Sequence, residues 1–100
     1  MIGTMLILVT YDVNTETETG RKRLRKVAKV CVAYGIRVQN SVFECEVNAS
    51  ELKHLRADLV KEINKSEDSL RLYNLGNKYN EKIEHYGIKD SIDQKGTLIY

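Results

Sequence analysis

Met5-Leu6-Ile7-Leu8-Val9-Thr10-Tyr11-Asp12-Val13 is a run of apolar and β-branched residues that ends in an aspartate. The apolar part is too short for a helix and is apolar on both faces, which predicts a buried central strand. Asp12 falls where that strand leaves the core and meets solvent. A carboxylate in that position is held rigidly yet stays wet, which suits a metal ligand. It equally suits the opening of a turn with Asn14 and Thr15, because Asp and Asn are ordinary turn formers. On this stretch alone both readings stay open.

After the strand, Val13 to Thr19 is a polar loop, and Thr19 can cap a helix over Gly20 to Tyr34. Leu24, Val27, Ala28, Cys31 and Tyr34 recur on one stripe at helical spacing. Lys22, Arg25, Lys26 and Lys29 fall on the opposite stripe, with Arg21 and Arg23 beside them in the first turn. Gly35 is the expected C′ residue. Within Gly20 to Tyr34 there is no acidic residue, so the six cations repel one another without i,i+4 relief. Those in the first turn also oppose the helix dipole. A solvated polar face is the bland explanation; the one-sign composition points instead to use of the charge, with phosphate as target.

Ile36 to Gln39 and Val42 to Val47 read as two strands broken at Asn40-Ser41, with Phe43, Cys45 and Val47 facing the core and Glu44 and Glu46 outward. Arg37 and Gln39 share a face. Asn48 and Glu51 form a capping-box signal for a second helix reaching about Asn64, whose core stripe is Leu52, Leu55, Leu59 and Ile63. Its mixed charges make an ordinary solvated surface. Ser69 to Leu75 is a further strand with Leu70 and Leu72 inward, ended by Gly76. Ile83-Glu84-His85-Tyr86 is a candidate fifth short strand, and the apolar Thr97-Leu98-Ile99-Tyr100 suits addition to a sheet edge.

A chain of 100 residues is one domain, residues 1–100, with a core but little room for a deep private pocket. The net charge of +2 does not by itself announce nucleic acid, so the distribution of charge carries the information. Cys31 and Cys45 form no CxxC pair and fit reduced core thiols of a cytoplasmic protein. Met1-Ile2-Gly3-Thr4 lacks the positive n-region of a signal peptide, and no apolar run reaches membrane-span length. The order strand-helix-strand-strand-helix-strand is an α+β, ferredoxin-like βαββαβ pattern, with both helices on one face of an antiparallel sheet and the other face bare. A second copy would cover that face, and residues 77–100 are expected to form a C-terminal extension that supplies an extra strand and completes the dimer sheet. The fold alone does not specify function. The strands lack paired exposed aromatics for stacking bases, which disfavours an RNA-recognition module, and no glycine-rich loop suggests a small-molecule sensor.

Val9-Thr10-Tyr11-Asp12-Val13, Arg23-Leu24-Arg25-Lys26-Val27, Gly35-Ile36-Arg37-Val38-Gln39-Asn40-Ser41-Val42-Phe43-Glu44 and Ser69-Leu70-Arg71-Leu72-Tyr73 together resemble the CRISPR-associated protein 2 family over essentially the whole chain. The Gly-x-Arg-Val-Gln-x-Ser-Val-Phe-Glu string is the specific part. Leu75-Gly76-Asn77 and the apolar-aromatic end look like the branch that accompanies type I systems. The resemblance implies a face-to-face ferredoxin-like homodimer in which Asp12 of each protomer lies near the two-fold axis and binds Mg²⁺, with Mn²⁺ as a substitute. It implies metal-dependent endonuclease activity on DNA or RNA, and a scaffold that bridges dimers of the CRISPR-associated protein 1 integrase and holds duplex DNA during spacer acquisition. A purely non-catalytic scaffold is the alternative. By the same resemblance Tyr11, Ser41 and Phe43 support the active region or interface, and Arg21, Arg23 and Arg37 lie near it. The nucleic-acid surface would comprise Arg21, Lys22, Arg23, Arg25, Lys26, Lys29 and Arg37. No second group near Asp12 is an evident general base, and Glu44 is the nearest candidate.

Overall fold

The first apolar run forms β1, Met5–Asp12, in a computed structural model that describes residues 3–88. It is followed by α1 (Glu18–Tyr34), β2 (Ile36–Gln39), β3 (Val42–Val47), α2 (Ala49–Glu62), β4 (Ser69–Asn74) and a 3₁₀ turn at Tyr79–Lys82. The sheet order is β2-β3-β1-β4 and every neighbouring pair is antiparallel. This is the expected α+β, ferredoxin-like arrangement, with β1 enclosed between β3 and β4.

Strand alternation divides β1 cleanly. Ile7, Val9 and Tyr11 join Phe43, Cys45 and Val47 of β3, Val27 and Cys31 of α1, and Leu55 and Leu59 of α2 in one core. Each fully buried aliphatic or aromatic side chain there contributes roughly 1.5–3 kcal/mol. Leu6, Leu8, Thr10 and Asp12 therefore point to the opposite, open face. The apolar stripes expected on both helices are the ones that pack, with Leu24, Tyr34, Leu52 and Ile63 at the margins. Both cysteine thiols are free and buried, and burial pushes them up to about 12 for Cys31 and about 11 for Cys45.

Four expectations need correction. Helix α1 starts two residues earlier than Gly20, with Thr17 rather than Thr19 as N-cap: Thr17 Oγ1 accepts from the Gly20 N–H at 3.1 Å. The reason is packing. A Cβ on Gly20 would sit 1.9 Å from the Asn14 carbonyl oxygen, so the glycine must lie inside the first turn, against the loop. The earlier start also brings Glu18 into the helix, four residues before Lys22, so α1 is not wholly without an acidic partner. Gly35 ends α1 in extended backbone, not in the left-handed region, and is required by space: a Cβ there would lie 2.3 Å from the Glu44 carbonyl oxygen. Helix α2 carries the expected capping box but stops at Glu62. Finally, Ile83–Tyr86 is not a strand. The segment runs from the 3₁₀ turn along the open face without joining a ladder; Tyr79 donates to Glu46 and Lys82 Nζ donates to the Leu75 carbonyl at 3.0 Å. Residues 89–100 of the expected extension, Thr97–Tyr100 among them, lie outside the described residues.

Candidate functional site

Asp12 is the last residue of β1 and is exposed on the open face of the sheet. Its ladder partner on β4 is Ser69, and Thr10, two residues back, pairs with Arg71. The β3 ladder stops at Thr10–Val42, and the next bond runs from the Tyr11 N–H to the Ser41 carbonyl at 3.1 Å. Asp12 is thus at a central strand end, fixed on both flanks but open to solvent. Among the described residues it takes part in no ion pair, and no cluster of three His, Cys, Asp or Glu surrounds it. The local donors are one carboxylate and the hydroxyls of Ser69 and Thr10 on the same face. An all-oxygen set with a single anionic ligand fits Mg²⁺ or Mn²⁺, which keep several waters and take one or two carboxylates beside phosphate oxygens.

Directly behind Asp12, on the helix side, lies an aromatic stack. Tyr11 and Phe43 rings are 6.2 Å apart at 20°, and the Arg37 guanidinium sits 5.0 Å from the Phe43 centroid. Phe43 is fully buried. The Tyr11 hydroxyl and Arg37 Nε are both buried without a hydrogen-bond partner of good geometry. Burial pushes the Tyr11 phenol up, and Arg37 beside it partly opposes that. Tyr11, Phe43 and Arg37 therefore form the underside of the strand end, and Ser41 holds it through its backbone. None of these three side chains shares the open face with Asp12. Arg37, half-buried against Phe43, is committed to packing to a degree that the α1 cations are not.

Of the six basic residues expected on the first helix, five are exposed: Arg21, Lys22, Arg25, Lys26 and Lys29. They run from the end of α1 nearest Asp12 along about 12 Å of helix. Arg23 differs. Its side chain is 18 % exposed and forks onto Asp68, Nε to Oδ2 at 2.9 Å and Nη2 to Oδ1 at 3.2 Å, with a further pair to Glu67 at 3.2 Å. The Arg23 guanidinium and two backbone N–H donors hold the Asp68 carboxyl down at about 2. Asp68 gave no signal in the sequence, where it stands in a short polar connection. Besides Asn64, four residues away, its partners Arg23 and Asn14 are 45 and 54 residues away, beyond any local pattern.

Glu44 is not placed to act with Asp12. It pairs with Leu8, four residues earlier on β1, which puts it roughly 13 Å along the strand. It lines instead a cavity of about 750 Å³ between the open face and the 79–88 segment, with Leu6, Ile36, Val38, Ile83 and Ile88. None of the candidate metal or nucleic-acid residues lines that cavity.

Comparison with known proteins resolves the family. The model described as "CRISPR associated protein Cas2" matches residues 5–83. The chain belongs to the Cas2 family. It is 55% identical over 96 residues to the CRISPR-associated endonuclease Cas2 of Halalkalibacterium halodurans, covering 96% of this chain and 100% of that one. It is 54% identical over 95 residues to the CRISPR-associated endoribonuclease Cas2 of Chlorobaculum tepidum, covering 95% and 99%. Among solved structures, Streptococcus pyogenes Cas2 superposes with a TM-score of 0.72 at 54% identity, over 83% of this chain and 100% of that chain. Asp12, the five exposed cations of α1, Arg23 and Asp68 all fall within the stretch matched by the Cas2 model. No helix among the described residues is long and apolar enough to cross a membrane.

Proposed function

We propose that this protein is a Mg²⁺-dependent endonuclease of CRISPR spacer acquisition, acting as a homodimer on nucleic-acid phosphodiesters. The observation that carries the reading is the exposed Asp12 at a rigid central strand end, with the exposed cations of α1 starting one short loop away. Two relatives, an endonuclease and an endoribonuclease, support the reaction class without choosing between DNA and RNA. Asp12 would hold the cation, with Ser69 and Thr10 beside it on the same face. When bound, such a cation polarises the phosphoryl oxygen and lowers the pKa of a coordinated water.

The chain's own residues do the remaining work. Arg21, Lys22, Arg25, Lys26 and Lys29 attract and align the phosphate backbone without reading bases. Tyr11 and Phe43 stiffen the strand under the ligand. Support for the homodimer is the apolar surface of the open face, where Tyr73 is 43% exposed beside Leu8 and where Ile36 and Val38, 49% and 42% exposed, border the cavity next to the 79–88 segment. A second copy covering that face buries these groups and brings the second Asp12 toward the first, so that two carboxylates share the cation. The same dimer would bridge CRISPR-associated protein 1 integrase dimers and hold duplex DNA.

One observation favours a second reading, a scaffold that binds duplex DNA but does not cut. Among the described residues Asp12 belongs to no cluster of three His, Cys, Asp or Glu, and the nearby Asp68 carboxylate is committed to Arg23 and backbone N–H groups. The test scores binding and cleavage separately for wild type and Asp12→Ala, on duplex DNA and single-stranded RNA, with Mg²⁺ or EDTA. The nuclease reading requires wild-type cleavage with Mg²⁺ only, and a variant that binds but does not cut. Equal cutting by both proteins removes Asp12 from the chemistry; binding without cutting by either establishes the scaffold.

A further inference from the structure

We propose that Asp68 is a positioning residue for Asp12, fixing both flanks of the strand end through one shielded carboxylate; this rests on Asp12 being the metal ligand. The Asp68 side chain is 0% exposed. Its two oxygens accept four hydrogen bonds from three separate parts of the chain. Oδ1 accepts the Asn14 N–H at 3.0 Å and Arg23 Nη2 at 3.2 Å. Oδ2 accepts the Asn64 N–H at 2.8 Å and Arg23 Nε at 2.9 Å. The loop after β1, helix α1 and the end of α2 therefore meet on a single group.

The location gives this clamp its purpose. Asn14 is two residues beyond Asp12, and Ser69, next to Asp68, is the ladder partner of Asp12. The Asp12 main chain is thus flanked on the loop side by Asn14, which the carboxylate holds directly, and on the β4 side by Ser69, the residue that follows Asp68 in the chain. With its lone pairs occupied and its side chain shielded, the Asp68 carboxylate is unavailable to cation or water. It acts only through position. A metal site on one carboxylate per chain depends heavily on such support, because displacement by about 1 Å is enough to spoil it.

Asp68→Asn is the informative variant. It keeps the shape but replaces one acceptor oxygen with an amide that faces N–H donors, so at most half of the four bonds survive. The probe is Mn²⁺ added to the ¹⁵N-labelled full chain, read as paramagnetic broadening of the amides around Asp12, Asn14 and Ser69. Turnover is measured in parallel at saturating nucleic acid. The expected result is an unchanged spectrum for amides of the core strands, unchanged KM for nucleic acid, kcat lower by about tenfold, and an Mn²⁺ half-broadening concentration higher by about tenfold, as for other groups that orient a ligand. A folded variant with the wild-type Mn²⁺ titration overturns the inference while leaving Asp12 as ligand. Absence of broadening near Asp12 in wild type overturns both. Should Asp68→Asn fail to fold, wild-type hydrogen exchange decides: the Asn14 amide, although in a loop, must be protected as strongly as amides of β1, and exchange as fast as that of Thr15 overturns the clamp.

Discussion

Replacing Arg25, Lys26 and Lys29 together with glutamine should flatten the salt dependence of duplex binding, whereas replacing Arg23 should not. The structure separates these residues: the first three are exposed with no ion pair among the described residues, and Arg23 is forked onto Asp68 and Glu67. Each phosphate neutralised by a cation adds about 0.9 to the slope of log K against log salt. Loss of three such contacts on one helix lowers the slope by about 2.7, so that between roughly 50 and 200 mM salt wild type weakens about 40-fold more than the variant. Arg23→Gln should leave the slope of wild type intact while lowering the urea midpoint, because it strands the shielded Asp68 carboxylate without its counter-charge. The assay is fluorescence anisotropy of a labelled duplex across the salt series, with urea unfolding of the same preparations. An unchanged slope in the triple variant removes α1 as the nucleic-acid surface. A slope loss in Arg23→Gln matching that of a single exposed lysine shows that the fork onto Asp68 opens to release Arg23 to phosphate, against the present reasoning.

Gly20→Ala should destabilise by more than about 2 kcal/mol, because its Cβ meets the Asn14 carbonyl oxygen at 1.9 Å and the backbone must part; differential scanning calorimetry should read this as a fall of about 10 °C in Tm. Phe43→Leu should cost about 2 kcal/mol in urea unfolding through loss of the Tyr11 ring pair and the Arg37 cation–π contact, and the cost should shrink when Arg37 is already methionine. The Asp68 carboxyl is lowered in the fold from 3.8 to about 2, so its contribution is fully present above its unfolded value and disappears as pH falls from 3.8 toward 2. The stability gap between wild type and Arg23→Gln should therefore be constant at neutral pH and close across that acid window, and a gap that persists at pH 2 refutes the assignment.

Much of this architecture is legible locally. Met5 to Asp12 reads as central because it is apolar on both faces, and the fold explains why: Ile7 and Val9 serve the helix-side core while Leu6 and Leu8 serve the open face. The stripe from Leu24 to Tyr34 and the Asn48–Glu51 capping box are visible because their partners lie within one or two helical turns. Helix α1 starts at Glu18, capped by Thr17 rather than Thr19, where Gly20 packs against Asn14, a tertiary contact that local sequence does not record. Glu44 looked close to Asp12 because register was unknown; the antiparallel β1–β3 pairing carries it to the far end. Asp68 was invisible for the same class of reason, since a buried carboxylate in a polar linker is indistinguishable in sequence from a solvated one.

The five-residue loop between β1 and α1 ties the residues just after Asp12 to other parts of the chain. Two of its backbone groups are hydrogen-bonded and a third is closely approached: the Asn14 N–H donates to Asp68, the Thr15 carbonyl accepts from Arg21 Nη1 at 3.1 Å, and the Asn14 carbonyl lies where a side chain on Gly20 would clash. Two of those neighbours belong to the first turn of α1, the turn that also begins the basic face. On the function proposed above, a load placed on α1 by a phosphate backbone would reach the residues immediately after Asp12. Binding by the cations and placement of the carboxylate would then be linked through this loop, and loosening it should uncouple them: affinity for nucleic acid should stay with α1 while the geometry at Asp12 is lost.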